Sequence, residues 1–264
     1  MQRVAADLAA HDIALFAISY DSVETLAGFA DQHHISYPLL SDEGSRFIHQ
    51  VGMLDEDLDR HHAEFGGRVQ EHQRGGAYPG VLLLDRDGVV VRKRFHPNYR
   101  LRDTGAGLVE ALFDFEASEH GSERGAAVDV IRVRAYLDSP TYRSYQEFHL
   151  VVEVSAQDGY HVYGRPIPDG YAPLDITVAA FDGLVAGEVA WPAPHPFKVE
   201  GLDEDFWVYE GTVRAVLPLH VVNRDAGDLI ITIAVSYQTC SDTTCLRPAG
   251  VTFDFPIRQA ATVQ

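Results

Sequence analysis

The sequence predicts two domains, an α/β unit followed by an all-β unit, and three observations carry the prediction. Up to residue 115, helical apolar stripes alternate with short apolar runs; residues 116–127 (EASEHGSERGAA) are small and polar; from Val128 onward, short β-rich runs lie between Gly and Pro turns. A length of 264 residues leaves room for two modest domains. A chain that is 46% hydrophobic and 23% charged has ordinary globular composition, which excludes global disorder. With 39 acidic residues against 21 basic ones, the net charge of −18 excludes a phosphate backbone as the main partner. No stretch reaches the roughly 18–20 apolar residues that cross a bilayer, and Gln2 to Asp7 lead into no apolar run of signal-peptide type.

In the first unit, Val4, Ala5, Leu8 and Ala9 form a helical stripe, and Ile13 to Ser19 reads as a buried parallel strand. Asp21 or Ser22 caps the next helix, whose inner face is Leu26, Phe29 and Ala30. Tyr37 to Leu40 is extended, and Ser41 or Asp42 caps a helix through Phe47 and Ile48. Val81 to Asp85 and Val89 to Val91 flank the hairpin turn Arg86-Asp87-Gly88, and a last helix carries Leu101, Leu108, Val109, Leu112 and Phe113. This order indicates a three-layer α/β domain over residues 1–115. Residues 55–76 are too long and polar for a simple connection and read as a flap or insertion. Residues 116–127 read as the linker. Beyond it, the runs Val128 to Tyr136, Phe148 to Val154, Leu174 to Ala180, Val208 to Val216 and Ile230 to Tyr237 indicate a β-sandwich over 128–258.

Chemistry concentrates at one place. The chain has two cysteines, Cys240 and Cys245, in a loop that follows the last of these strands. Three readings of the spacing stand open: a structural disulfide, an exchangeable pair, or two ligands of a metal. Closing so short a loop stabilises by only about 2 kcal/mol in the chain-entropy model, and exposed short loops are where exchangeable disulfides sit. Zinc needs two further ligands and normally a tighter spacing. If the pair exchanges, the thiolate is the attacking species and a nearby base is required. Asp242 in the loop, Asp205 and His161 are candidates, each with a plainer reading as a turn or packing residue.

The residues around the cysteines resemble a known family. Ser236-Tyr237-Gln238-Thr239-Cys240 through Cys245-Leu246-Arg247-Pro248 is similar to the cysteine loop of the amino-terminal domain of DsbD-type thiol:disulfide interchange proteins. Asp158-Gly159-Tyr160-His161-Val162-Tyr163-Gly164 resembles that family's Asp-Gly-Tyr strand, and Val208 to Gly211 and Leu217-Pro218-Leu219 stand at corresponding places. The resemblance implies an immunoglobulin-like sandwich whose cysteines cycle between dithiol and disulfide with thioredoxin-like protein partners, in an oxidising, extracytoplasmic compartment. It implies no cofactor or metal. It also implies a cap loop over the cysteines, for which Asp203-Glu204-Asp205-Phe206-Trp207 is the counterpart, with Phe206 or Trp207 as shield and Tyr163 beside the sulfurs. This chain has one residue fewer between its cysteines than the family usually has.

Residues 1–115 resemble the later part of a thioredoxin-like redoxin of the alkyl hydroperoxide reductase and peroxiredoxin type, on Ala17-Ile18-Ser19-Tyr20-Asp21, Tyr37 to Asp42 and Tyr78 to Gly88. The resemblance implies a cis bond at Pro79, whereas the sequence alone leaves a trans turn proline as the default. It also implies a nucleophilic cysteine and a central strand upstream, neither of which residues 1–115 contain, so the expectation is a truncated redoxin domain that reduces no peroxide by itself. The overall expectation is a thiol–disulfide oxidoreductase acting through Cys240 and Cys245. The alternatives are a truncated peroxidase with a docking sandwich, a non-catalytic binding protein with a structural disulfide, and a cytoplasmic location. His33-His34 and His61-His62 are adjacent pairs, a spacing that suits solvated surface better than a shared metal.

Overall fold

The computed structural model describes residues 1–64, 66–113, 115–198, 204–223 and 226–260. They divide into two compact units, residues 1–118 and 119–264.

The first unit runs α1 (Ala5–Ala10), β1 (Ala17–Ser19), α2 (Val23–His33), β2 (Leu39–Ser41), α3 (Arg46–Gln50), α4 (Leu58–Ala63), β3 (Gly80–Leu84), β4 (Val90–Phe95), β5 (Arg102–Asp103) and α5 (Gly105–Leu112). The expected elements are present in order, with α4 and β5 in addition; α2 is capped at Ser22 as expected, whereas α3 starts after Ser45 rather than Ser41 or Asp42, and Leu101 and Phe113 lie outside α5. Ser22 accepts from the Thr25 N–H at the start of α2, and Thr104 accepts from the Gly107 N–H at the start of α5. Asp42 accepts from the N–H groups of Phe47 and Ile48, and these bonds hold its carboxyl below the usual range.

The sheet differs from the expected one. β1 pairs in parallel with β2, β3 pairs antiparallel with β4, and no ladder joins the two pairs among the described residues. The buried strand read over Ile13 to Ser19 is three residues long, with Ile18 37% and Phe16 56% exposed. A run that looks apolar on both faces is buried on both only where strands flank it on either side and helices cover it. Val4, Leu8, Ala106, Val109 and Ala117 form this unit's small core.

Two further readings are corrected here. Pro79 is preceded by a trans bond; among the described residues the cis peptide is Arg165–Pro166. Tyr78 is held by its N–H on the Met53 carbonyl and its hydroxyl on the His96 carbonyl, and the chain enters β3 in the trans form that X–Pro bonds favour by about 0.5–1 kcal/mol. The polar stretch 55–76 contains α4 and a 3₁₀ turn, Glu71–Gln73, and is tied by the buried His61–Asp55 pair at 3.0 Å and by Arg74 on Asp59. Its polarity marks pairing among its own side chains, not an open flap.

The second unit is all β: β6 (Glu123–Val128), β7 (Ile131–Leu137), β8 (Thr141–Tyr142), β9 (Gln146–Ala156), β10 (His161–Tyr163), β11 (Asp175–Val178), β12 (Leu184–Ala186), β13 (His195–Phe197), β14 (Phe206–Glu210), β15 (Thr212–Val221), β16 (Leu229–Tyr237), β17 (Thr239–Cys240) and β18 (Ala249–Gln259). Three ladders result, ordered β12-β15-β9-β7-β6, β11-β16-β18-β8 and β13-β14-β10-β17. The first two share one core, in which Val133, Leu150, Val152 and Leu217 meet Ile231, Ile233 and Phe255. The third carries the cysteines.

The segment read as a linker is partly strand. Ser118 and Glu119 mark the boundary between units, and β6 pairs with β7 from Glu123↔Tyr136 to Val128↔Ile131. The run Val128 to Tyr136 is therefore the turn and second strand of a hairpin, which Asp129 closes at a φ of 52°, a left-handed conformation that Asp tolerates better than most residues. Likewise Val208 to Val216 is two strands, separated at Gly211 with φ 65°. The turn that includes Asp225 falls partly outside the described residues.

Candidate functional site

Cys240 and Cys245 form a disulfide with an S–S distance of 2.08 Å. The short loop between them is closed by its own backbone. Ser241 N–H donates to the Thr244 carbonyl at 2.8 Å, Leu246 N–H donates to the Thr239 carbonyl at 2.8 Å, and the Ser241 hydroxyl accepts from the Thr244 N–H. Ser and Thr serve such turns because their hydroxyls bond nearby backbone amides. The two residues differ in access: Cys240 is 1% exposed, whereas Cys245 is exposed.

Beneath the pair lies an aromatic floor of Tyr163, Phe206, Val208 and Cys240, with Ile167, Tyr171 and Phe197 packed against it. Strand alternation selects these residues. On β14, Phe206 and Val208 point to the floor, and Trp207 and Tyr209 point to the other face, where Tyr209 joins the main core. Phe206, which has no measurable exposure, packs on Tyr163 and Tyr171 at ring-centroid distances of 5.4 and 5.0 Å. Tyr163 donates its hydroxyl to the Cys240 sulfur at 3.1 Å and lies 3.6 Å from that of Cys245. Burial pushes the Tyr163 phenol up to about 12, so it stays protonated and remains a donor at physiological pH.

His161 is on β10, directly across the ladder from Cys240. Asp242 is exposed at the tip of the cysteine loop. Asp205 is exposed and faces Lys198 at 3.4 Å. Asp203, the first residue of the expected cap segment, lies outside the described residues. The structure thus gathers Cys240, Cys245, Tyr163, Phe206 and His161, and Trp207 stands on the opposite face of its strand. Pro79 belongs to the other unit.

Two residues in this region were not singled out by sequence reasoning. Tyr171 adds a T-shaped contact to Tyr163 at 5.2 Å. The buried side chain of Gln238 accepts from the Ala172 N–H at 3.0 Å and donates to the Leu246 carbonyl at 3.2 Å, which fastens the far leg of the loop. The signal for Gln238 was an amide directly after an apolar strand, where a buried polar group must find partners. The histidine pairs are engaged separately: His33 rests on Phe29, His34 ends α2 in the left-handed conformation, and His61 bonds Asp55 and stacks on Tyr99.

Removal of the Tyr163 hydroxyl isolates its role. Tyr163→Phe keeps the ring and is expected to slow reduction of the disulfide by a dithiol by about 10- to 100-fold, the equivalent of the about 1.5–3 kcal/mol of a hydrogen bond to a charged sulfur. Stopped-flow reduction of both proteins measures this; equal rates would show that the hydroxyl does not bear on the leaving sulfur.

Residues 131–256 match the family model of the thiol:disulfide interchange protein DsbD, N-terminal domain. Residues 1–93 match the AhpC/TSA family. Each unit therefore matches a family model of its own. No curated protein matches the sequence. Among solved structures, the N-terminal periplasmic domain of ScsB from Proteus mirabilis is similar at 18% identity and a TM-score of 0.37, over 52% of this chain and 51% of that one, so the chain spans about half its length. The reduced DsbD N-terminal domain of Neisseria meningitidis is similar at 17% identity and a TM-score of 0.30, over 41% of this chain and 77% of that one. The same organism's DsbD N-terminal domain in complex with the PilB N-terminal domain gives 17% and 0.30, over 40% and 73%. No helix among the described residues is long and apolar enough to cross a membrane. The redoxin and DsbD-type units, with the Cys240–Cys245 disulfide, indicate thiol–disulfide exchange in general terms.

Proposed function

We propose that the DsbD-type unit is an immunoglobulin-like sandwich that passes electrons by exchange of the Cys240–Cys245 disulfide with a protein dithiol of thioredoxin-like type, in an extracytoplasmic, oxidising compartment. The observation that carries this is the asymmetry of the pair: an exposed Cys245 and a buried Cys240 whose sulfur accepts the Tyr163 hydroxyl. A partner thiolate attacks Sγ of Cys245; a bond forms to the partner sulfur, and the bond to Cys240 breaks. Cys240 leaves with the electron pair, and the Tyr163 hydroxyl stabilises the new charge. The second partner thiol then attacks the mixed disulfide, and Cys245 is released. The partner ends as a disulfide, and two electrons and two protons have moved to Cys240 and Cys245.

The redoxin-like unit would be a thioredoxin-like domain whose residues 1–115 bring no thiol of their own to the exchange. The deciding experiment is the reduction potential of the pair by thiol trapping in graded glutathione buffers. A value between about −120 and −270 mV, the range of working oxidoreductases, is expected. A value below about −300 mV would make the disulfide structural and the unit a binding module.

A further inference from the structure

Among the described residues around the cysteines, the hydroxyls of Tyr237 and Thr239 and one ring nitrogen of His161 are buried without a hydrogen-bond partner, and of these only the imidazole can take up a proton at neutral pH. His161 is 2% exposed, and its Nε2 is buried with no hydrogen-bond partner. Its ring is packed between Tyr163, at 5.5 Å and T-shaped, and Phe197, at 4.3 Å. Phe197 has no polar group, and the Tyr163 hydroxyl is engaged with sulfur. A buried polar atom left in this state costs about 1–3 kcal/mol. A histidine held at such a cost invites the question of when its partner appears.

The ladder supplies an answer. His161 and Cys240 are direct antiparallel partners on β10 and β17. Their side chains therefore stand on the same face, with Cβ atoms about 4.5–5.5 Å apart. In the disulfide the Cys240 sulfur carries no proton; after reduction it carries one. We propose that Nε2 of His161 accepts the Cys240 thiol proton in the reduced protein and draws that proton off when the disulfide re-forms. The proposal rests on the exchange reading above and extends it to the oxidative direction. Starting from a mixed disulfide between Cys245 and a partner, the Cys240 proton passes to Nε2 as the Cys240 sulfur attacks Sγ of Cys245. The Cys240–Cys245 bond forms, the bond from Cys245 to the partner breaks, and the partner sulfur leaves with the electron pair. The imidazolium then loses its proton to solvent or to the departing thiolate. His161 becomes neutral and partnerless again, as found here.

The surroundings fit a neutral imidazole that is able to charge. Burial is the largest influence and holds its pKa below the usual histidine value; Glu210 across the ladder on β14 and Asp242 in the cysteine loop pull the other way, and His195 on β13 adds a smaller downward push. Tyr163 beside it stays protonated. A thiolate at Cys240, directly across the ladder, adds a negative charge that favours the imidazolium, so ionisation of the reduced pair raises the pKa of His161.

The test is an NMR titration of the His161 imidazole in the full chain, oxidised and chemically reduced, together with thiolate absorbance of the wild type, His161→Gln and His161→Phe. The expected result is a His161 midpoint at least one pH unit higher in the reduced protein. In both variants the first thiol ionisation should move up by at least one unit, and closure of the disulfide from a mixed disulfide at neutral pH should slow at least tenfold, a modest share of what general bases supply. The deficit should shrink as the pH approaches the ordinary thiol range near about 8.5. His161→Phe keeps an aromatic ring in the floor, which separates proton transfer from packing. Equal His161 midpoints in the two redox states, or thiol titrations that superimpose in wild type and folded variants, would overturn the proposal. The exchange reading fails separately: a pair that resists the thiol pool but shows the coupled titration after forced reduction would remove the exchange function and leave this linkage standing.

Discussion

Cys240→Ser is expected to turn the protein into a trap that accumulates a long-lived mixed disulfide with a single-cysteine partner presented as its disulfide with a small aromatic thiol, whereas Cys245→Ser is expected to form almost none. The two variants remove the same bond, so a purely structural disulfide would make them equivalent. Access makes them different. Cys245 is exposed and its lone thiol meets a partner freely, and without Cys240 nothing within the domain releases that partner. The thiol that remains in Cys245→Ser is 1% exposed and packed into the aromatic floor with Tyr163, Phe206 and Val208. It reacts only when the floor opens. A local opening that costs about 2.7 kcal/mol lowers the rate by about 100-fold. Mass spectrometry of each variant with a single-cysteine thioredoxin-type partner, its sulfur first oxidised to a disulfide with a small aromatic thiol that the variant thiolate displaces, reads the yields. Comparable trapping by both would show that the burial of Cys240 does not direct attack.

The largest stability effect is expected at Phe206. Phe206→Ala should destabilise the second unit by about 3–5 kcal/mol, the usual cost of a buried phenylalanine that leaves a cavity. The ring has no measurable exposure and props both Tyr163 and Tyr171, so neighbouring atoms can fill the space only by moving the tyrosine that contacts sulfur. Phe206→Leu retains most of the volume and should lose well under half as much. Denaturant unfolding followed by near-ultraviolet circular dichroism measures the loss. A value below about 1 kcal/mol for the alanine variant would mean that the floor stands without its central ring.

Much of this was legible in the sequence, and the exceptions have physical causes. The two halves separated cleanly because apolar positions recur at helical spacing before residue 115 and at strand spacing after it. β6 was read as linker because Gly125, Ala126 and Ala127 have small side chains that carry almost no pattern; its register comes from the partner strand β7, which is rich in large residues. Pro79 was expected to be cis by likeness to a family, and a backbone isomer depends on contacts that a motif does not contain. The cysteine pair and Tyr163 were visible as motif residues. Tyr171 and the two hydrogen bonds of Gln238 were not, since both residues reach the site from irregular segments outside the strands, whose path a linear pattern does not give.

Gln238 bears on how the thiols behave after the covalent link is cut. Its carboxamide, the Leu246 N–H on the Thr239 carbonyl and the Ser241–Thr244 turn hold both legs of the loop without any help from the S–S bond. The reduced cysteines therefore remain neighbours and need no chain search to meet again, which amounts to a very high effective molarity of one thiol for the other. Ring closure of this kind outpaces any encounter with a free thiol in solution, so when Cys245 is held in a mixed disulfide the neighbouring Cys240 thiol attacks it, the partner leaves as its own thiol, and the loop is oxidised.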